Sequence, residues 1–250
     1  CEANLGKEPT MAKRLQTLGV VLALFGLGFF VASGYTYLQT KAGSDSLQAF
    51  SAAQNVTLSY NEDGQLTDRG TTEGADAIMD LLENTWGYPV KASELDPADP
   101  LVNTGTEYMY QMATIGYHVL HGTQTIVLDE AVDFDGQTFE AGTYEVVVNE
   151  IGDADRVAAG LGGYWTDFDR THPLEGPARA QAWSGTAHGL FGELGVGAVT
   201  ANTLTIGYGL AGVLAGLGLF MAVAGFGLVW VAKSKEETGA TPIVREPVSV

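Results

Sequence analysis

Two histidines, His118 and His121, stand three residues apart in "YMYQMATIGYHVLHG", residues 108–122. On a helix, positions three apart share a face, so two imidazoles could offer nitrogens to one metal ion. Joined by a carboxylate they would form the 2-His-1-carboxylate set that leaves positions open on a non-haem iron. The helical stripe that carries them reads Glu107, Gln111, Thr114, His118, His121. Glu107 lies about 16 Å along the axis from His118 at ~1.5 Å per residue, too far to share an ion. Asp129, Glu130 and His188 are the other donors available to complete a set. No H-E-x-x-H or paired Cys/His spacing accompanies the two rings. A polar stripe is also what any solvated helix face shows. The first reading of His118 and His121 is therefore structural, with no cofactor. The alternative is a metal-dependent oxygenase or hydrolase that holds iron or zinc on these two rings.

Other reactive residue types are weaker still. Ser184 and His188 lie close together in "AWSGTAHG", but the G-x-S-x-G elbow is missing. The "GLGG" cluster at residues 160–163 is too short to cradle phosphate. His172 stands alone. The reactive residues name no catalytic constellation.

The elements that must position these residues are easier to read. Residues 18–38 form 21 consecutive uncharged, mostly apolar positions, and residues 206–232 form 27. A bilayer core of about 30 Å needs about 20 such residues, so each run is long enough to span. A cleaved signal peptide has a shorter apolar stretch ending in small residues. "VASG" at residues 31–34 resembles such a site, whereas Tyr35 and Tyr37 beyond it suit a membrane boundary. The expected fold is an α+β membrane protein, with two antiparallel transmembrane helices flanking an extracytoplasmic domain of short helices and a small antiparallel sheet.

Charge sets the expected orientation. Lys13 and Arg14 precede the first run, and Lys233 and Lys235 follow the second. Residues 39–205 hold six Lys/Arg against 25 Asp/Glu, a net charge of −19. Basic residues beside a span stay in the cytoplasm. The organisation read from this is a cytoplasmic tail at 1–14, a span at 15–38, an acidic extracytoplasmic domain at 39–205, a span at 206–232 and a cytoplasmic tail at 233–250, in the plasma membrane. "CEANLGKEPT" precedes Met11, whose "MAKR" reads as a natural start, so these ten residues are either an upstream overrun or a processed end. A lipidated Cys1 would put Lys13 and Arg14 on the opposite side. Cys1 is the single cysteine, so no intrachain disulfide can form.

Within the acidic segment, residues 44–54 suit a short helix and "NVTLSY" a strand. Ala77, Ile78, Leu81 and Leu82 recur at helical spacing between Thr72 and Gly87, and a further helix starts near Thr104. Residues 123–149 are β-branched and aromatic, broken by Asp135-Gly136 and Ala141-Gly142, both hairpin signals. "GGYWTDFDR" at 162–170 is a candidate strand, and the Ala/Gly-rich residues 175–199 lead helically into the second span.

Partners follow from surface chemistry. The acidic balance excludes nucleic acid, which needs clustered Lys and Arg. The lipid bilayer is the expected environment of the two spans. Gly28 with Ala32 and Gly212 with Gly216 are four-residue small pairs of the kind that let membrane helices approach. Their simplest use is packing the two spans of one chain together, and the alternatives are a homo-oligomer or the helix of a membrane partner.

The order of first span, "NVTLSY", "GADAIMDLLE", "KASELDPADPLV" and second span resembles a group of uncharacterised two-span actinobacterial membrane proteins often labelled "aromatic ring-opening dioxygenase". The resemblance covers the spans and residues 45–115, and "KASELDPADPLV" at 91–102 is its most specific piece. The label implies iron chemistry. The resemblance assigns no functional residue.

Overall fold

The structure is a computed structural model that describes residues 11–150 and 168–239. The expectations for Cys1, for the "GLGG" cluster and for most of "GGYWTDFDR" fall outside those residues. The described residues fall into two compact units, one from residues 11–44 and 203–239, the other from residues 45–150 and 168–202.

The first unit is a pair of helices. Helix α1 runs from Met11–Gln54 without a break, absorbing the separate short helix expected at 44–54. The last helix, α5, runs Gly185–Gly239. Both are long and apolar enough to cross a membrane. Their apolar side chains face outward: Phe220 is 71% exposed and Trp230 74%. The core helix of a soluble protein would bury those groups.

What joins the pair is a repeat of small residues at every seventh position. Gly19, Gly26 and Ser33 on α1 meet Gly225, Gly218 and Ala211 on α5, which fixes the antiparallel order. A Cβ on Gly19 would come within 2.6 Å of the Gly225 carbonyl oxygen. The Ser33 hydroxyl donates to the Ala211 carbonyl at 2.8 Å. Further along, Tyr37 meets Tyr208 edge to face, and Thr40 Oγ1 occupies the space a Cβ on Gly207 would need. A strict seven-residue repeat is the period of a left-handed helix pair. Close contact of this kind gives the two helices van der Waals attraction along the line.

The four-residue small pairs do not supply this contact within the chain. A Cβ on Gly28, Gly212 or Gly216 would meet nothing within 4 Å, and Ala32 is exposed. Four-residue spacing drifts off the contact line, so these residues lie on outward faces of the pair.

The second unit is α+β. Its strands are β1 (Ser59–Tyr60), β2 (Leu66–Thr67), β3 (Thr123–Leu128), β4 (Val132–Phe134), β5 (Gln137–Phe139) and β6 (Gly142–Val147). They form three antiparallel pairs, β1–β2, β3–β6 and β4–β5, in place of one sheet. Asp135 and Gly136, both at positive φ, close the β4–β5 hairpin as their residue types require. Ala141-Gly142 closes no hairpin: Gly142 opens β6, which pairs back onto β3 through Leu128.

Helices α2 (Thr72–Asp80) and α3 (Gly105–Leu120) fill the main core, and a single π-helical turn at Leu81–Thr85 prolongs α2. Leu58, Ile78, Leu82, Val102, Tyr108 and Ala113 are its buried centre, joined by Leu194 and Ala198 of α5. Glycines let α3 lie close against the first turns of α5. A Cβ on Gly197 would clash with the Tyr108 ring at 2.5 Å, and one on Gly116 would press on Phe191 at 3.0 Å. Helix α4 (Glu175–Ala182) packs its Ala178 on Ile126 and Val146 of the β3–β6 pair, forming a smaller second core.

Candidate functional site

Helix α3 presents both histidines in its last turn, and the helix begins where the sequence places it. Thr104 is the N-cap: its Oγ1 accepts from the Glu107 amide, while Glu107 Oε2 accepts from the Thr104 amide at 2.9 Å, a complete capping box. Glu107 also takes the Asn103 amide at 3.0 Å and the Thr104 hydroxyl at 2.9 Å. It is 2% exposed. Burial pushes its carboxyl above the usual range, against the downward pull of those donors. Glu107 is thus a buried cap, not a member of a solvated stripe.

His118 points toward the tight turn that links β2 to α2. Its Nε2–H donates to Asp68 Oδ1 at 2.9 Å, with both side chains largely covered. Asp68 and Thr71 exchange backbone hydrogen bonds of 2.9 Å, with Arg69 and Gly70 at positive φ between them. Thr71 then caps α2 by accepting from the Gly74 amide at 3.2 Å. The His118–Asp68 bond therefore ties the end of α3 to the start of α2.

His121 turns elsewhere. Its ring stacks on Tyr117 with centroids 4.1 Å apart, and its Nδ1–H donates to the Tyr117 carbonyl at 2.9 Å. Tyr117 also meets the His118 ring edge to face at 5.7 Å. The nitrogen that each ring commits to a protein acceptor is not free to bind an ion. Among the described residues no three His, Cys, Asp or Glu side chains come together as metal ligands. Asp129 and Glu130 are exposed in the turn between β3 and β4.

Ser184 and His188 do not form a nucleophile pair. Ser184 Oγ accepts from the Ala187 amide at 3.3 Å and so caps α5. The His188 Nδ1–H donates to the Ser184 carbonyl at 3.1 Å, and the ring lies 5.8 Å from that of Trp183. Beside it is a cleft of about 420 Å³ lined by Phe168, Arg170, Arg179 and Trp183 among others. Arg179 is 1% exposed, with Glu175 at 3.7 Å.

Sequence reasoning missed Asp68 and the capping role of His172. The first is 50 residues from its partner, and no local pattern announces such a contact. For His172 the signal was present: it stands just before an Ala-rich helical stretch that lacks a Ser, Thr, Asp or Asn cap in its first turn. The chain matches no family model, no curated protein and no solved structure.

Proposed function

We propose that this chain is a non-enzymatic accessory or scaffold protein of a cell envelope or membrane complex. Its two apolar helices would lie in the plasma membrane, and residues 39–205 would meet a membrane or exported protein partner outside. The supporting observation is the helix pair, matched every seventh residue by Gly19, Gly26 and Ser33, with large apolar side chains such as Phe220 and Trp230 turned outward. Lys13 and Arg14 before the first span, and Lys233 after the second, favour cytoplasmic termini. The bonds of His118 to Asp68 and of His121 to Tyr117 favour structural over catalytic use.

Affinity purification in mild detergent is expected to recover a stoichiometric membrane or exported partner. Repeated recovery of the chain alone, carrying near-stoichiometric iron or zinc that a His118→Ala/His121→Ala variant loses, would overturn the reading. Orientation is tested separately by labelling single cysteines introduced at exposed positions between 60 and 150. Labelling of intact cells is expected, and labelling only after lysis would reverse the orientation.

A further inference from the structure

Three histidine rings in this chain donate a hydrogen bond: His118 to Asp68, His121 to Tyr117 and His188 to Ser184. His172 does the opposite. The backbone amides of Leu174 and Glu175 both aim at its Nδ1, at 3.1 and 3.0 Å. An amide N–H can only donate, so Nδ1 must present its lone pair and the ring proton must sit on Nε2. The His172 carbonyl also takes the Gly176 amide at 3.2 Å. One residue thus satisfies three amides of the first turn of α4, where Leu174, at the N-cap position, supplies no side-chain acceptor.

The ring is also held in place. Phe134 of β4 and Phe139 of β5 grip it edge to face, each with its centroid 5.1 Å away and at 67° and 74°. A proton on Nδ1 would replace the lone pair with a third donor facing two others. It would also set a positive charge against the positive end of the helix dipole. The two phenyl rings make no hydrogen bond that the added proton would break, so the loss falls on the cap.

We infer that His172 is an acid-sensitive clasp on α4, whose protonation opens the first helical turn and loosens the buried Glu175–Arg179 pair that this turn carries. Asp169 faces the ring from the preceding loop, its carboxylate already accepting the Thr171 amide and hydroxyl at 2.8 and 2.6 Å. Glu175 follows on α4, with its carboxylate 3.7 Å from Arg179. On the hairpin side Asp133 is engaged by the Thr138 hydroxyl at 2.5 Å, leaving the two phenyl rings against the imidazole. Nothing in this set supplies an acceptor that would let the ring keep both amides once protonated. The device couples the state of the second core to the acidity of whichever compartment that unit faces.

Hydrogen exchange on the full-length chain in detergent micelles tests this, at pH 7.5 and 5.0 with rates corrected for intrinsic chemistry. Peptides over residues 172–180 are expected to lose protection about tenfold or more at the lower pH, as the loss of one or two neutral hydrogen bonds implies. Peptides over residues 18–38 of α1, which lie outside the second core, serve as the internal reference. In His172→Asn the amide oxygen accepts the same N–H groups and does not titrate, so protection over 172–180 is expected to stay level. An equal acid response in His172→Asn, or none in the wild type, overturns the proposal. A readout independent of any variant is ¹⁵N NMR of histidine-labelled wild-type chain at pH 7.5. A proton on Nε2 of His172 is expected, and a proton on Nδ1 would sink the idea.

Discussion

Gly26 and Gly218 stand face to face across the helix pair, each filling the space where the other's side chain would be. A Cβ on Gly26 would come within 2.8 Å of the Gly218 carbonyl oxygen, and one on Gly218 within 3.0 Å of the Gly26 carbonyl. Gly26→Val must therefore push the helices apart, an overpacking cost of about 1–3 kcal/mol. Gly28→Val, two residues away on an open face, should change stability by less than about 0.5 kcal/mol. Reversible unfolding in mixed micelles distinguishes them, and equal effects of the two would contradict the seven-residue contact line.

Glu107 separates the worth of a cap from the penalty on a buried charge. Glu107→Gln keeps an acceptor oxygen for the Asn103 and Thr104 amides, whereas Glu107→Ala leaves both unsatisfied in a covered site. The alanine variant should lose about 2–3 kcal/mol and the glutamine variant about 1 kcal/mol or less. The carboxyl is raised by burial, so its folded form holds a proton more tightly than its unfolded form. Its contribution is then fully present below the ordinary glutamate range and is lost as pH rises above that range. Denaturant midpoints of wild type and Glu107→Gln should accordingly move further apart below pH 4, and a narrowing gap would refute the assignment.

Asp68 and His118 should behave as one unit. In a double-mutant cycle with Asp68→Asn and His118→Gln, the coupling energy is expected at about 0.5–1.5 kcal/mol. Additive effects would mean that the 2.9 Å contact contributes nothing to holding α3 against the β2–α2 turn.

Three tyrosines with covered hydroxyls make a graded comparison. The Tyr108 hydroxyl lies 2.7 Å from Ser51 Oγ, which itself donates to the Leu47 carbonyl, so Tyr108 is the donor. Tyr108→Phe should lose about 1 kcal/mol. The hydroxyls of Tyr60 and Tyr110 are covered and bond no partner among the described residues. Tyr60→Phe and Tyr110→Phe should be neutral or slightly stabilising. Burial, with Glu107 and Asp96 nearby, pushes the Tyr60 phenol up to about 12 from 10.0. The stability this group lends is present below pH 10 and lost as pH climbs toward 12. Tyr60→Phe should lack that alkaline loss, which fluorescence-monitored unfolding between pH 9 and 12 would reveal.

Local signals carried the reading of the chain where the physics is local. The apolar runs appear as the two long helices, Thr104 starts α3, and Asp135-Gly136 closes β4–β5, because length, capping and φ preference act over a few residues. The two runs form helices long and apolar enough to cross a membrane, whereas the four-residue small pairs do not supply the contact between them. Four-residue glycine pairs attract the eye, yet the contact line follows Gly19, Gly26 and Ser33, whose partners lie about 180–200 residues away. The β3–β6 pairing was hidden for the same reason: it encloses β4–β5, and strand order is set by the core that Ile126 and Val146 share with Ala178. At the histidines, spacing showed that two rings share a turn. It could not show that Asp68, 50 positions earlier, and the Tyr117 ring draw them to different partners.

The glycine repeat also limits how the two helices can move. A small axial slip would drive bulk such as the Phe30 ring, which already borders Gly218, into notches that hold no side chain. Register is regained only after one whole repeat, a shift of about 10.5 Å at ~1.5 Å per residue. Piston motion of one helix past the other is thereby blocked. The pair is a strut that can tilt or turn as a body but cannot telescope.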